Sequence, residues 1–551
     1  MPKITVGDYL LRRIKELGIT DVLGVPGDYN LGFLDQIVAM ENIEWRGTCN
    51  ELNAAYAADG YARIRGASAL VTTFGVGELS AINGIAGAYA EYVPIINIVG
   101  MPALATQEKH LIVHHTLGDG NFSNFIDMYR HVTIEQVVLT PLNAAHEIDR
   151  ILTACWVNKR PVYIGLPTDV SSKEIELDII EPLSLIYPTS DTSAVGEAVE
   201  RTAHLIEKSK KPLFLVDICA QRHSMKPFIE DLIDKTGICF ASMNMGKGYL
   251  NESHSKYLGT YNGQYSSIGV QERVETSDCL IIFGSILSDF NTGGFTAKLN
   301  TSSTIEVHSQ HVDLKHSCYN NVCFYDFIPL LIKRLENVQF YELPCKKPIK
   351  KLIFKENETL VHDRLWQQIR DSLNANDIIL AEAGTSMFGT LSMPIPDNTT
   401  YIAQTLWGSI GYTVGAILGT SLAAPDRQSV LFIGDGSFQL SAQEISTMIR
   451  YKNNPIIFLI NNDGYTVERV IHGSLMPYND IQMWKYSELP QVFGENTWSC
   501  KVTTETQLKS AINQLGKHSD KLRFIEVVMD KNNSPQILEE IGRDCAKQNA
   551  Y

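Results

Sequence analysis

Basic residues are outnumbered in this sequence. Lys and Arg total 47 against 62 Asp and Glu, a formal net charge of −15. That balance argues against a general nucleic-acid or membrane-surface binder, which needs basic patches. It leaves room for an anionic substrate, since a local site can oppose the global sign. The ten cysteines are scattered, with no CxxC pair and no tight Cys/His cluster. A zinc-type framework is therefore not expected, and a reducing compartment is. No apolar run reaches the length of about 18 residues that a membrane span needs. The start, Met1-Pro-Lys-Ile-Thr-Val6, lacks a charged segment followed by an apolar core. No secretory signal is expected, and the expected location is cytoplasmic.

What is present is length and alternation. The 551 residues exceed one hydrophobic core. Short β-branched runs alternate with helical patterns in three blocks. The first has strands at Asp21–Val25, Ala69–Thr73 and Pro94–Val99, with amphipathic stretches at 51–65 and 78–92. The second has Leu213–Val216, Cys279–Phe283 and Thr304–Val307; the third has Ile378–Leu380, Ser429–Ile433, Ile456–Ile460 and Phe524–Val528. Continuous apolar strands separated by helices predict parallel sheets covered on both faces. The expected fold class is α/β, with three doubly wound parallel-sheet domains at 1–180, 195–340 and 355–551. Linkers are expected at 179–195 and at 336–360; the second carries Pro344, Pro348 and a Lys-rich run at 346–351 that reads as a solvated connector. No internal repeat is evident at residue level.

The third block holds the strongest chemical signal. One strand ends in Gly434-Asp435-Gly436-Ser437, and a helix with apolar positions Leu440, Ile445, Met448 and Ile449 follows. The next strand ends in Asn461-Asn462-Asp463-Gly464-Tyr465. Ligands of open parallel sheets bind at strand carboxyl ends. Glycines there let backbone N–H groups approach a diphosphate beside a helix start. Asp435 offers an anionic oxygen to Mg2+ and Asn462 a neutral one. They lie 462 − 435 = 27 positions apart, about one strand–helix–strand unit, which brings both to one sheet edge. A carbonyl near Gly464 completes a ligand set suited to Mg2+ with phosphate oxygens and water. A lone Gly-Asp-Gly reads as a tight turn; the second motif makes the combination specific. No Walker A lysine and no dinucleotide GxGxxG is present.

Three weaker signals lie in the first block. Glu51 opens an Ala-rich helix, where the macrodipole favours a carboxylate and capping is the plain reading. His114 and His115 are adjacent, and Asp28 follows a strand in Pro26-Gly27-Asp28-Tyr29-Asn30, where it reads as a turn or N-cap residue.

Together these residues resemble the thiamine-diphosphate-dependent 2-oxo acid decarboxylases, the pyruvate and indolepyruvate decarboxylase family. The matching stretches include Gly24–Asp28, Cys49–Asn53, Thr73–Ser80, His114–Gly118, Glu382–Ser386, Leu406–Ile410, Gly434–Ser437 and Asn461–Glu468, in the family's order. The adjacent histidines and Glu468, six residues after Asn462, belong to the decarboxylase branch. The resemblance implies the cofactors thiamine diphosphate and Mg2+, and non-oxidative decarboxylation of a 2-oxo acid through the cofactor's ylid. It implies that Glu51 activates the cofactor's aminopyrimidine and that Ile410 holds the cofactor bent. It implies that Asp28, His114, His115 and Glu468 act on the reacting atoms. Gly384, Thr385, Ser409, Ile410, Gly434, Asp435, Gly436, Ser437, Asn462 and Gly464 become cofactor contacts, with Asp435, Asn462 and Gly464 holding the metal. Phe290 and Met387 become the substrate pocket, and Phe290 points to pyruvate or another short 2-oxo acid. Indolepyruvate, phenylpyruvate and branched-chain 2-oxo acids stay open as alternatives, as does acetolactate-synthase-like carboligation or a silent α/β scaffold. The family also implies a homodimer or homotetramer with sites between subunits. Cys219 resembles a regulatory cysteine of substrate-activated members; with Tyr92 where those members often carry His, it is expected to be an inert thiol.

Overall fold

The computed structural model describes residues 3–177, 181–342 and 353–548. The Lys-rich run at 346–351, with Pro344 and Pro348, lies outside the described residues, as do 179–180 of the first expected linker. The rest of that linker has no regular structure up to Asp191, which caps the helix Thr192–Lys208.

Three large sheets follow the three blocks. The first is ordered Glu44–Gly47, Asp21–Gly24, Ser68–Thr73, Ile95–Met101, Val162–Pro167, Gln136–Val138, every neighbour parallel. The third is ordered Thr400–Ile402, Ile378–Ala381, Ser429–Gly434, Ile456–Asn461, Leu522–Val528, Thr497–Val502, again all parallel. Their central strands are buried on both faces, which is why they read as unbroken apolar runs. Numbered by appearance, both sheets run 2-1-3-4-6-5. The chain thus repeats one winding at its two ends, a repeat carried by topology rather than by matching residues. In both, the strand order reverses between the first and third strands, and the crevice for a ligand opens there.

The middle sheet departs from the all-parallel expectation. Its strands Tyr257–Tyr261, Cys239–Met243, Pro212–Val216, Cys279–Phe283 and Thr304–Val307 are parallel, but His311–Leu314 and Ser317–Asn320 add an antiparallel edge. The chain turns back from Val307 to His311 within three residues, too few for the crossover a parallel pair needs.

The helix Glu51–Arg65 is buried on nearly all sides from Asn53 to Ala62, so the amphipathic reading of 51–65 is corrected. It packs against the helix Tyr412–Ala423 of the third unit, and the two backbones meet through small residues. A β-carbon on Gly419 would stand 1.8 Å from the Ala57 carbonyl oxygen, and one on Gly60 2.2 Å from that of Ala416. Gly419→Ala is expected to lower the thermal midpoint. The gain in helix propensity is about 1 kcal/mol, while overpacking against a fixed backbone costs about 1–3 kcal/mol or more. An unchanged midpoint at matched scan rate would show that the helices can separate freely. Among the described residues no helix is long and apolar enough to cross a membrane.

Candidate active site

The reversal point of the first sheet gathers one group of candidates. Asp28 lies in the loop after Asp21–Gly24, and the segment carrying His114 and His115 folds over it. His114 Nε2 is 2.5 Å from Asp28 Oδ2, and His115 Nε2 is 3.8 Å from Asp28 Oδ1. The Tyr29 ring stacks on His114 at 4.9 Å and meets His115 edge-on at 6.1 Å. Tyr29, unremarked in the sequence beyond its place beside Asp28, is thus the wall that holds both imidazoles. His115 has a left-handed backbone, φ 60°, and its carbonyl presses against Gly75, where a β-carbon would come within 2.0 Å of it.

Glu51 belongs to the same neighbourhood. It is the first residue of its helix, but the cap is Asn50, whose Oδ1 accepts the Asn53 N–H at 2.8 Å. The capping reading of Glu51 is therefore not what the structure shows. Its half-buried carboxyl has no side-chain partner among the described residues and lies against Gly77. Burial raises its pKa, only partly offset by its own backbone N–H. Other polar groups in and just before this helix reach the third unit. Asn53 Nδ2 and the Cys49 N–H donate to the buried Glu444, and Tyr56 shares a 2.7 Å hydrogen bond with Ser409. No sequence pattern marked Glu444.

The third sheet gathers a second group at its own strand ends. Asp435 is fully buried; its Oδ1 accepts the Gly436 N–H at 2.8 Å and its Oδ2 the Gly464 N–H at 3.2 Å. Burial pushes its pKa up to about 6 despite those N–H groups. One arm of the Asn462 carboxamide lies 3.1 Å from both the Gly464 carbonyl and Asp435 Oδ1, and the other lies 3.0 Å from the Thr466 hydroxyl. With nitrogen on the first arm, the amide bridges two acceptors. With oxygen there, three oxygens converge as a divalent cation requires, and the Thr466 hydroxyl turns to other acceptors, such as the Lys531 carbonyl 3.1 Å away. The donor set therefore fits Mg2+. Gly464 can turn this tightly because its φ is 117°, and the Asn479 carbonyl fills the space a side chain would need. Beside this group, a β-carbon on Gly434 would meet nothing within 4 Å, and one on Gly384 only Val467 at 3.8 Å. These strand ends leave room for a bulky anion. Thr385 opens the helix that follows Gly384, and Ser437 lies in the short helix Asp435–Gln439. That helix stops at Leu440, which is exposed, and Glu444–Arg450 resumes it; Ser441 between them donates to the Gly411 carbonyl. The single continuous helix expected after Ser437 is thus two.

Phe290 and Met387 line one cavity, together with Phe388, Leu391 and Tyr401, where the middle and third units meet. Ile410 is half-exposed beside Ser409. Glu468 is exposed on the helix Thr466–His472, and among the described residues no hydrogen bond or ion pair joins it to the other candidates. Among the described residues no hydrogen bond, ion pair or ring contact joins the Asp28–His114–His115 group to the Asp435–Asn462–Gly464 group. Cys219 is buried, and burial pushes its thiol up to about 12, in keeping with an inert thiol.

Family models for thiamine pyrophosphate enzymes match in three stretches: the N-terminal TPP binding domain over 4–121, the central domain over 199–335 and the C-terminal TPP binding domain over 383–527. The chain is a thiamine pyrophosphate enzyme. It is similar along its whole length to pyruvate decarboxylases of fungi. It shares 42% identity with that of Aspergillus fumigatus, over 99% of this chain and 98% of the relative. It shares 40% with isozyme 2 of Saccharomyces cerevisiae and 40% with the enzyme of Candida glabrata, over all of both chains. For a thiamine pyrophosphate enzyme the repeated winding has a plain meaning: the two matched cofactor-binding units are the two sheets whose crevices hold the two candidate groups.

Proposed function

We propose that this enzyme decarboxylates a 2-oxo acid, pyruvate foremost, to the aldehyde and CO2. The observation that carries the reading is the Asp28–His114–His115 group, a carboxylate and two imidazoles walled by Tyr29, in a thiamine pyrophosphate enzyme whose relatives are pyruvate decarboxylases. The reaction breaks the bond to the carboxylate, releases CO2 and adds one proton to the former carbonyl carbon. Asp28 and His114, hydrogen-bonded at 2.5 Å, are the acid–base groups placed to deliver such a proton, with His115 3.8 Å from the same carboxylate. Glu468 is a further acid–base group for product release.

Asp435, Asn462 and the Gly464 carbonyl would hold Mg2+. Gly384, Thr385, Gly434, Gly436 and Ser437 would receive the diphosphate. Glu51 would hold the aminopyrimidine, with Ser409 and Ile410 beside it. What thiamine diphosphate supplies when bound is an electron sink for the pair that departing CO2 leaves behind. The test is incubation with pyruvate, thiamine diphosphate and Mg2+, with aldehyde, acyloin and CO2 measured. Acyloin as the sole product would favour carboligation instead.

Phe290 crowds the cavity it shares with Met387, 6.2 Å from the Phe388 ring. Phe290→Ser is expected to raise the kcat/KM ratio of phenylpyruvate to pyruvate by more than about tenfold, because one methylene alone is worth ~1–3 kcal/mol in such a pocket. A ratio that does not move removes Phe290 from the substrate site. A parent that already prefers phenylpyruvate removes the short-substrate reading and leaves the decarboxylase.

The working unit is a dimer or higher oligomer in which the first unit of one copy faces the third unit of another. Two observations support this. Among the described residues no hydrogen bond, ion pair or ring contact joins the two candidate groups within one chain, and both are flanked by exposed apolar side chains: Val76, Leu111 and Ile112 beside the first, Leu475, Met476 and Tyr478 beside the second. Co-expressed Glu51→Gln and Asp435→Ala chains should then form heterodimers with one intact site of the two. Purified heterodimer with no more activity than either variant alone would place each site within one chain.

A further inference from the structure

The edge hairpin of the middle sheet carries a second set of metal-ligating side chains, separate from the Asp435 group. Thr304–Val307 turns back through Ser309 and Gln310 into His311–Leu314, and the His308 N–H donates to the His311 carbonyl at 2.9 Å. The register pairs Val307 with Val312 and Glu306 with Asp313. Side chains alternate along a strand. Ile305, Val307, Val312 and Leu314 therefore enter the core, and Glu306, His308, His311 and Asp313 share the opposite face. The next strand extends that face, since Cys318 pairs with Asp313.

Three of these side chains converge, and Glu306 stands beside His308. The His308 and His311 rings stack at 4.4 Å with 20° between their planes. One donor atom each of His308, His311 and Asp313 lies within 4.8 Å of the others. Glu306 Oε2 is 3.5 Å from His308 Nε2, and its orientation is set by a 3.2 Å hydrogen bond from Ser285. Asp313 Oδ2 is 3.7 Å from His311 Nε2. All four are half-buried, so solvent reaches them while the hairpin fixes their backbone. Donors around tetrahedral Zn2+ stand roughly 3.3 Å apart, given bonds of about 2.0–2.1 Å. The present donor atoms lie within 4.8 Å of one another, and side-chain rotation would have to bring them to that spacing. Imidazole with carboxylate is a set that suits Zn2+ and its transition-metal neighbours, unlike the all-oxygen set at Asp435, which suits Mg2+.

We propose that this face binds one divalent transition-metal ion of the Zn2+ class through His308, His311 and Asp313, with Glu306 as the fourth donor. Bound there, the ion ties the antiparallel edge together across both strands. The test uses the holoenzyme, saturated with thiamine diphosphate and Mg2+ and titrated with Zn2+ in competition with a chromophoric chelator. The parent should take up Zn2+ at this face, and His308→Ala/His311→Ala should weaken that uptake by at least about tenfold, since even an outer-shell change commonly costs that much. His114→Ala, which disrupts the other imidazole–carboxylate group, should leave it in place. Parent enzyme that takes no Zn2+ from the chelator overturns the proposal. So does a double variant that titrates like the parent, or uptake lost in His114→Ala instead. If the double alanine variant does not fold, Glu306→Gln/Asp313→Asn, which keeps the shape of the face, is judged by the same tenfold criterion.

Discussion

Glu51→Gln is expected to lower kcat by about 10²–10⁴-fold, the usual worth of one positioned acid–base group, while thiamine diphosphate and Mg2+ still bind. The separation follows from what Glu51 does not do. Asn50 caps its helix, and no side chain pairs with its carboxyl among the described residues. The amide therefore removes a titrating group and little structure. Stability should even move the other way. Burial raises the Glu51 pKa above its ordinary 4.5, so the folded state holds this proton more tightly than the unfolded chain. Its contribution to stability is present below the ordinary pKa and is lost as pH rises through the raised one. At neutral pH the variant should melt at the same temperature as the parent or slightly higher. Kinetics, calorimetric cofactor titration and a melting curve on one preparation check all three outcomes. Parent-like turnover would remove Glu51 from the chemistry; lost cofactor affinity would make it an anchor only.

Asp435→Ala is expected to abolish Mg2+-dependent cofactor binding, with affinity falling by at least about 100-fold, beyond what an outer-shell change costs. Asp435 is the carboxylate of the set, with Asp435 Oδ1 and the Gly464 carbonyl each 3.1 Å from one arm of Asn462, and among the described residues no cationic side chain pairs with its buried charge. A cation is the missing counter-charge. Alanine also orphans the Gly436 and Gly464 N–H groups, at about 1–3 kcal/mol for each left unsatisfied. Asp435→Asn is therefore the paired variant: its oxygen still accepts one of those bonds, but its charge is gone. Titration calorimetry with thiamine diphosphate and Mg2+ should show both variants weakened and only alanine markedly less stable. Unchanged affinity in both would remove Asp435 from the metal.

The sequence by itself determined the three α/β blocks, because strands buried on both faces must be apolar without interruption and are bounded by glycine. It also determined that the Asp435 and Asn462 motifs meet, since one strand–helix–strand unit delivers both to the same edge. Phe290 and Met387, remote in the chain, do meet in one cavity. Other features were settled only by packing. Tyr29 holds the histidines through ring geometry, which adjacency to Asp28 does not reveal. Glu444 is an acceptor for Asn53 and Cys49 across nearly 400 residues, a distance no local pattern spans. The helix expected after Ser437 is interrupted where Ser441 donates to the Gly411 carbonyl, and Asn53–Ala62 is buried all round because a second small-residue helix lies against it. The repeated 2-1-3-4-6-5 winding leaves no trace in the residues, because strand order is set by crossovers and not by side-chain identity. Periodicity and motif spacing are local and survive in the sequence. Which faces meet depends on the whole chain at once, so only the tertiary structure decides it.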